Sequence, residues 1–170
     1  MMRAVLLSVV CPCAFMLTAC GSERSGEFTT EDGETAQYTI DSETGETSAT
    51  IKTGDGTATL RSGADVPVDL PGGFSIYPGA KVVTNTVVSH DDGKGNMLML
   101  ETADSPDEVV AHYRKQAQAA GIDIQLEMSM NEGKMIGGEG PDGTTFSLNA
   151  TDDGEGLTQA QLILGQGLGN

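Results

Sequence analysis

Few side chains in this 170-residue sequence are equipped for chemistry, and their spacing sorts them quickly. The three cysteines, Cys11, Cys13 and Cys20, crowd into the first twenty residues, so the remainder has no thiol nucleophile and no disulfide partner. The two histidines, His90 and His112, stand at a predicted strand end and in mid-helix. Neither Gly-x-Ser-x-Gly nor Ser-x-x-Lys occurs. A general base needs an oriented, usually buried partner, and no local pattern supplies one. A Ser-His-Asp site would have to assemble in space. The expectation is that the protein is not an enzyme and has no catalytic residue, with a small hydrolase as the alternative.

Metal-binding patterns are equally thin. Gly137-Gly138-Glu139-Gly140-Pro141-Asp142 matches the opening of a calcium β-roll nonapeptide, but only once, and such sites need stacked repeats. A hairpin turn is the better reading. Asp91-Asp92 and Asp152-Asp153 lack the alternating spacing that wraps calcium, so they read as solvated loop charges. Five methionines follow residue 20: Met97, Met99, Met128, Met130 and Met135. The two Met-x-Met pairs place two thioethers on one face of a strand, and soft thioethers suit Cu(I), with His90 as a conceivable additional ligand. Against this, Met128 and Met130 continue an alternating stripe with Ile122, Ile124 and Leu126. Core packing by adaptable methionine side chains is therefore the expectation, with no metal and no cofactor.

The N-terminus carries the most specific pattern. Met1-Met2-Arg3 is a short positive start, and residues 4–17 are mostly apolar yet too short to span a bilayer of about 30 Å. This is the build of a secretory signal. It ends in Leu17-Thr18-Ala19-Cys20, which resembles the lipobox of bacterial lipoproteins. The resemblance implies cleavage between Ala19 and Cys20 and lipidation of Cys20. Cys11 and Cys13, preceded by Val10 and Pro12, fit the pattern worse and would leave with the signal. Removal of 19 residues leaves 151, and with Arg3 gone the net charge moves from −16 to −17. Gly21 follows the cysteine; by analogy with lipoproteins of Gram-negative cells, where Asp there often marks inner-membrane retention, this favours the outer membrane, facing the periplasm.

Composition then divides the chain. Nine Lys and Arg against 25 Asp and Glu exclude a nucleic-acid binder, because phosphate affinity comes from basic side chains that displace counterions. Residues 21–65 hold four of the large aliphatic and phenylalanine side chains (Phe28, Ile40, Ile51, Leu60), and residues 66–170 hold 24. Only the second region can build a core. The expected division is a signal peptide over 1–19, a lipid anchor with a polar spacer over 20–65, and a domain over 66–170. Within the spacer, Gly turns at Asp32-Gly33, Thr44-Gly45 and Asp55-Gly56 each precede a short Thr-rich run. Such runs favour strands and Asp-Gly favours tight hairpins. A polar β-meander and a solvated stalk both fit this composition.

In the second region, residues 81–89 and 97–101 read as strands, the latter apolar on both faces and so central. Ser105-Pro106-Asp107-Glu108 spells a helix start: a cap, Pro at the first helical position, and Glu placed to bond back. Val109, Val110, Tyr113, Ala117 and Ala120 share a face, and Gly121 ends the helix. Residues 122–130 alternate strictly, predicting a strand with one buried face. Strands over 134–138, 144–150 and 157–164 follow, separated by Gly-containing turns. The expected fold is α+β: a two-layer sandwich of one helix on a mostly antiparallel sheet, in the order β-β-α-β-β-β-β, preceded by the polar meander. Tyr77-Pro78-Gly79-Ala80, together with the helix entry from Thr102 to Arg114, resembles a module of small Gram-negative envelope lipoproteins. Turn and cap chemistry explains both motifs, and the resemblance implies no catalytic residue.

These readings combine into a non-catalytic, lipid-anchored envelope protein acting as a binding or structural module. Its expected partners are the membrane, through the lipid on Cys20, and an envelope protein or ligand whose identity the residues do not reveal. The alternatives are a Cu(I)- or divalent-cation-binding lipoprotein and a small hydrolase.

Overall fold

The computed structural model describes residues 24–29, 35–43, 46–53, 56–90, 93–130 and 133–167. Ala19, Cys20, Asp91-Asp92 and the Asn131 turn lie outside the described residues.

Among the described residues ten strands form one antiparallel sheet. They are β1 (Arg24–Thr29), β2 (Thr35–Glu43), β3 (Glu46–Thr53), β4 (Gly56–Gly63), β5 (Lys81–His90), β6 (Gly93–Thr102), β7 (Asp123–Met130), β8 (Gly133–Glu139), β9 (Thr145–Asp152) and β10 (Thr158–Gln166). The helix α1 (Pro106–Ala119) lies between β6 and β7 in sequence. The sheet order is β1-β2-β3-β4-β5-β6-β10-β9-β8-β7. The α+β class, a mostly antiparallel sheet with one helix, agrees with the sequence expectation. The helix carries the chain from the central β6 to the far edge, and β7 to β10 return by hairpins until β10 pairs with β6. The spacer strands are not set apart from this sheet, because β4 pairs with β5 from Thr59↔Ser89 to Gly63↔Asn85.

The helix start follows from its residues. Ser105 Oγ accepts from the Glu108 backbone N–H at 3.4 Å, and the Glu108 carboxylate accepts from the Ser105 N–H at 3.0 Å. Pro106 occupies the first helical position, where no N–H is needed. At the other end Gly121 takes φ +75°, a left-handed conformation that favours glycine.

The helix packs on β7, β8, β9 and β10. Val109, Val110, Tyr113 and Ala117 meet Ile136, Phe146, Leu148, Ala150, Leu162 and Leu164. The same face of β5 and β6 is covered by the segment before β5. There Lys94 Nζ pairs with Asp69 at 2.6 Å, and Asn85 Nδ2 donates to the Pro67 carbonyl at 3.0 Å. Leu98 and Leu100 complete the core beneath it. We call this covered side the inner face and the opposite side the outer face.

Two expectations are corrected here. The strand over 122–130 does not present one buried face. The register shifts between Ile124↔Gly138 and Leu126↔Gly137, so Gln125 is an extra residue in a β-bulge. Ile122 and Ile124 join the core. Beyond the bulge the alternation is inverted: Glu127 lies opposite Ile136 on the helix side, where it pairs with Arg114 at 2.6 Å. Leu126, Met128 and Met130 are turned to the outer face and exposed. The methionines are therefore not core packing. Met97 and Met99 sit on the outer face of β6, opposite Ile163 and Gln161. Strand β6 is central, as its apolar content suggested, yet only Leu98 and Leu100 of its apolar residues are fully buried.

Candidate functional site

The registers assign the paired strand residues to one of the two faces, because side chains alternate and directly paired residues share a face; the bulge residues Val83 and Gln125 have no register partner. The outer face gathers nearly all the large apolar side chains that the core does not use. From the β1 edge they run Phe28, Tyr38 and Ile40, Ile51, Leu60 and Val88. They continue through Met97 and Met99, Ile163, Met135, and finally Leu126, Met128 and Met130. Met97 is 37% exposed, Ile163 41%, Leu126 41%, Met128 43% and Met130 64%, while Tyr38, Ile40, Val88, Met99 and Met135 are half-buried.

Charge is distributed in the opposite sense. On the outer face the strands carry Arg24, Lys81, Glu101, Asp123 and Glu139, all at strand ends, with Lys81 directly opposite Glu101. The inner face of the spacer strands carries Glu27, Glu46, Lys52 and Arg61, and Arg61 pairs with Glu46 at 2.7 Å. The helix and the segment before β5 add Asp69, Asp104, Asp107 and Glu108 to the inner side. A chain with 25 acidic residues thus presents one face whose centre is uncharged, built of Thr, Ser, Gln, Asn and apolar side chains.

The outer face also has relief. Gly137, flanked by Leu126 and Ser147, leaves a shallow groove of about 250 Å³. Its neighbour Gly138 serves the bulge, since a Cβ there would run into the Asp123 backbone carbonyl. At the other edge the Tyr38 ring lies over Gly26, where a Cβ would come within 2.7 Å of it.

The remaining candidate residues are accounted for as structure. Asp142 Oδ1 accepts from the Thr144 N–H at 3.2 Å, and the Thr144 side chain, followed by this backbone bond, holds its carboxyl below the usual range. The Gly140 N–H donates to Thr144 O at 2.7 Å, so the segment read against the β-roll repeat is a hairpin turn. Asp152 and Asp153 cap their own loop, accepting from Gly154 N at 2.7 Å and Glu155 N at 2.8 Å. Among the described residues no group of three or more His, Cys, Asp or Glu side chains could hold a metal ion.

The histidines are not brought together with the methionines. His90 ends β5 opposite Gly93, four residues along the hairpin from Met97. His112 packs edge-on against Tyr77 and Tyr113, and its Nε2 lies 2.6 Å from Gln116 Nε2. Burial, with Lys115 nearby, lowers its pKa. Tyr77 donates to Asp104 at 2.7 Å, and its backbone N–H donates to Tyr113 Oη at 3.1 Å. Burial pushes both phenols up to about 12, so both are neutral hydrogen-bonding groups at pH 7 rather than nucleophiles. The cluster clamps the Tyr77-Pro78-Gly79 turn to α1.

The two Met-x-Met pairs are also separated. Four strand spacings, about 19 Å, lie between β6 and β7. Met128 instead lies directly opposite Met135, with Met130 two residues along. On the inner face Asn96 is buried, and neither its amide nitrogen nor its oxygen makes a hydrogen bond among the described residues; Asn85 Oδ1 and Thr144 Oγ1 are likewise without a partner there.

The outer-face residues Phe28, Ile51, Leu60, Leu126 and Ile163 were not singled out by residue chemistry, because none is reactive. The alternation Tyr38/Ile40, Ala49/Ile51 and Ala58/Leu60 is in the sequence, but which side stays open depends on the packing of α1. Gly137-Gly138 inside a strand was a signal for the bulge.

A family described as START domain-like matches residues 82–156, from β5 to the turn before β10. No curated protein and no solved structure matches the chain.

Proposed function

We propose that this protein is a non-catalytic binding module whose binding surface is the outer face of the sheet, held at the cell envelope by a lipid on Cys20. The observation that carries the reading is the collection of exposed apolar side chains, strand after strand, on the one face that lacks central charge. Contiguous exposed apolar patches of this kind mark interaction sites. The similarity of residues 82–156 to the START domain-like family supports a ligand-binding role. In this reading residues 1–19 are a signal peptide, cleaved between Ala19 and Cys20. Two or more acyl chains then hold the chain stably at the outer membrane, facing the periplasm. The strands β1 to β4 serve as an arm between the anchor and the helix-covered half over 66–170.

Two measurements test this. Labelled palmitate should be incorporated into the wild-type chain and not into Cys20→Ser. Oxidative footprinting in intact envelopes should then show Met97, Met128, Met130 and Met135 protected relative to dilute purified protein. Equal oxidation of these residues in both settings would reject the outer face as the binding surface.

A second reading, Cu(I) binding, draws on the exposed Met128 and Met130 and the half-buried Met135 sharing one corner of the outer face. Competition titration with a Cu(I) chelator, comparing wild type with Met128→Leu, decides it.

A further inference from the structure

We propose that the occupant of the outer face is a second copy of this chain, packed sheet on sheet about a two-fold axis. The inference rests on the preceding reading of that face as a binding surface, and names the partner.

The first argument is charge. A mature chain of net charge −17 repels its own kind wherever acidic side chains would be brought close. The outer face avoids this, because its centre is neutral and its charges stand at strand ends, where Lys81 already faces Glu101. Two copies meeting by this face point their helices and acidic inner sides away from each other. A strongly basic partner, which net charge alone would suggest, finds no carboxylate at the centre of the face.

The second argument is area. The six strands from β5 to β7 in sheet order span about 29 Å across and about 26 Å along, from strand spacings of about 4.8 Å and a rise of about 3.3 Å per residue. That is roughly 750 Å² per copy, near the 800 Å² per partner of a standard stable interface. The spacer strands extend it. Two sheets pack face to face about 10 Å apart with side chains interdigitating, and this face offers large residues beside depressions. Ile163 and Met97 stand next to the Gly95–Gly165 pair, and Leu126 stands beside Gly137.

The third argument selects the axis. Cys20 precedes β1 by four residues, at most about 14 Å of extended chain. Both lipids of a dimer must enter one bilayer. A two-fold axis along the strands would stack β1 over β7 and send the anchors to opposite edges. An axis across the strands stacks β1 over β1, so both anchors leave the same edge. The interface is then isologous, and Ile163, near mid-strand, approaches the same region of its partner.

The test uses the full chain expressed in its envelope, with a photo-crosslinking phenylalanine analogue at Ile163 on the outer face. The same group at Thr50, on the inner face of β3, is the control. The expected result is an adduct of twice the mature mass from Ile163 and not from Thr50, with peptides of this chain alone at the crosslink. An adduct from Ile163 to another protein or to lipid, with no homodimer, overturns the second copy while leaving the outer face a binding surface. No adduct from Ile163, or equal adducts from both positions, overturns both readings. In sedimentation equilibrium of the purified protein, Ile163→Glu should raise the dimer dissociation constant at least tenfold with an unchanged circular dichroism spectrum. An unchanged dissociation constant, or a monomer in the wild type, overturns the proposal.

Discussion

Leu126 and Leu148 make a direct test of the bulge in β7. Leu148 is fully buried on the inner face, opposite Ile136 on one side and Leu162 on the other, both also fully buried. Its truncation to alanine removes buried apolar surface and leaves a cavity under α1, so Leu148→Ala should cost about 2–5 kcal/mol. Leu126 stands past the extra residue Gln125 on the outer face, opposite Gly137, which has no side chain to pack against. It is 41% exposed in an edge strand. Complete burial of a leucine is worth about 1.5–3 kcal/mol. With much of that area in water and no closed cavity left behind, Leu126→Ala should cost about 1 kcal/mol or less. Urea unfolding followed by far-ultraviolet circular dichroism suits a chain without tryptophan. Equal slopes for the variants would place the difference in stability rather than in the unfolded state. The measurement belongs at low protein concentration, where association through the outer face does not contribute. If Leu126→Ala costs as much as Leu148→Ala, the strand presents one buried face after all, Met128 and Met130 return to the core, and the open apolar surface disappears.

Three further outcomes follow from the inner side. Ser105→Ala should cost about 1 kcal/mol, because it removes the hydroxyl that accepts from Glu108 N–H and breaks the capping box; Ser105→Asp should recover most of it in the same melts. Tyr113 is held at about 12 when folded against an ordinary value of 10.0, so its contribution is complete below pH 10 and is lost as pH rises from 10 to 12, by roughly 3 kcal/mol; this alkaline loss, read from denaturant midpoints against pH, should shrink in Tyr113→Phe. Asn96→Leu should raise stability by about 1–3 kcal/mol by removing a buried amide without partners, and a lower melting temperature would mean that the amide is paired in the protein in solution.

The local elements of this protein follow from short stretches of its amino-acid sequence. Ser105, Pro106, Glu108 and Gly121 set the helix and its ends because capping and positive φ are requirements of single residues. Thr- and Val-rich runs between Gly turns set the strands, and alternation within them set which side chains lie together. Tertiary structure decided the rest. Strand alternation is a relative parity, and it names no face as the inside until something packs there. The helix, crossing from β6 to the far edge, chose the inner face and left Phe28, Ile51, Met97 and Ile163 open on the other. The bulge at Gln125 reset the parity in mid-strand, and its cause lies in the partner strand, where Gly138 lets the Asp123 carbonyl approach. That is why an unbroken stripe from Ile122 to Met130 became core at one end and exposed surface at the other. The outer face is a product of nine strand registers acting together, and no single segment contains it.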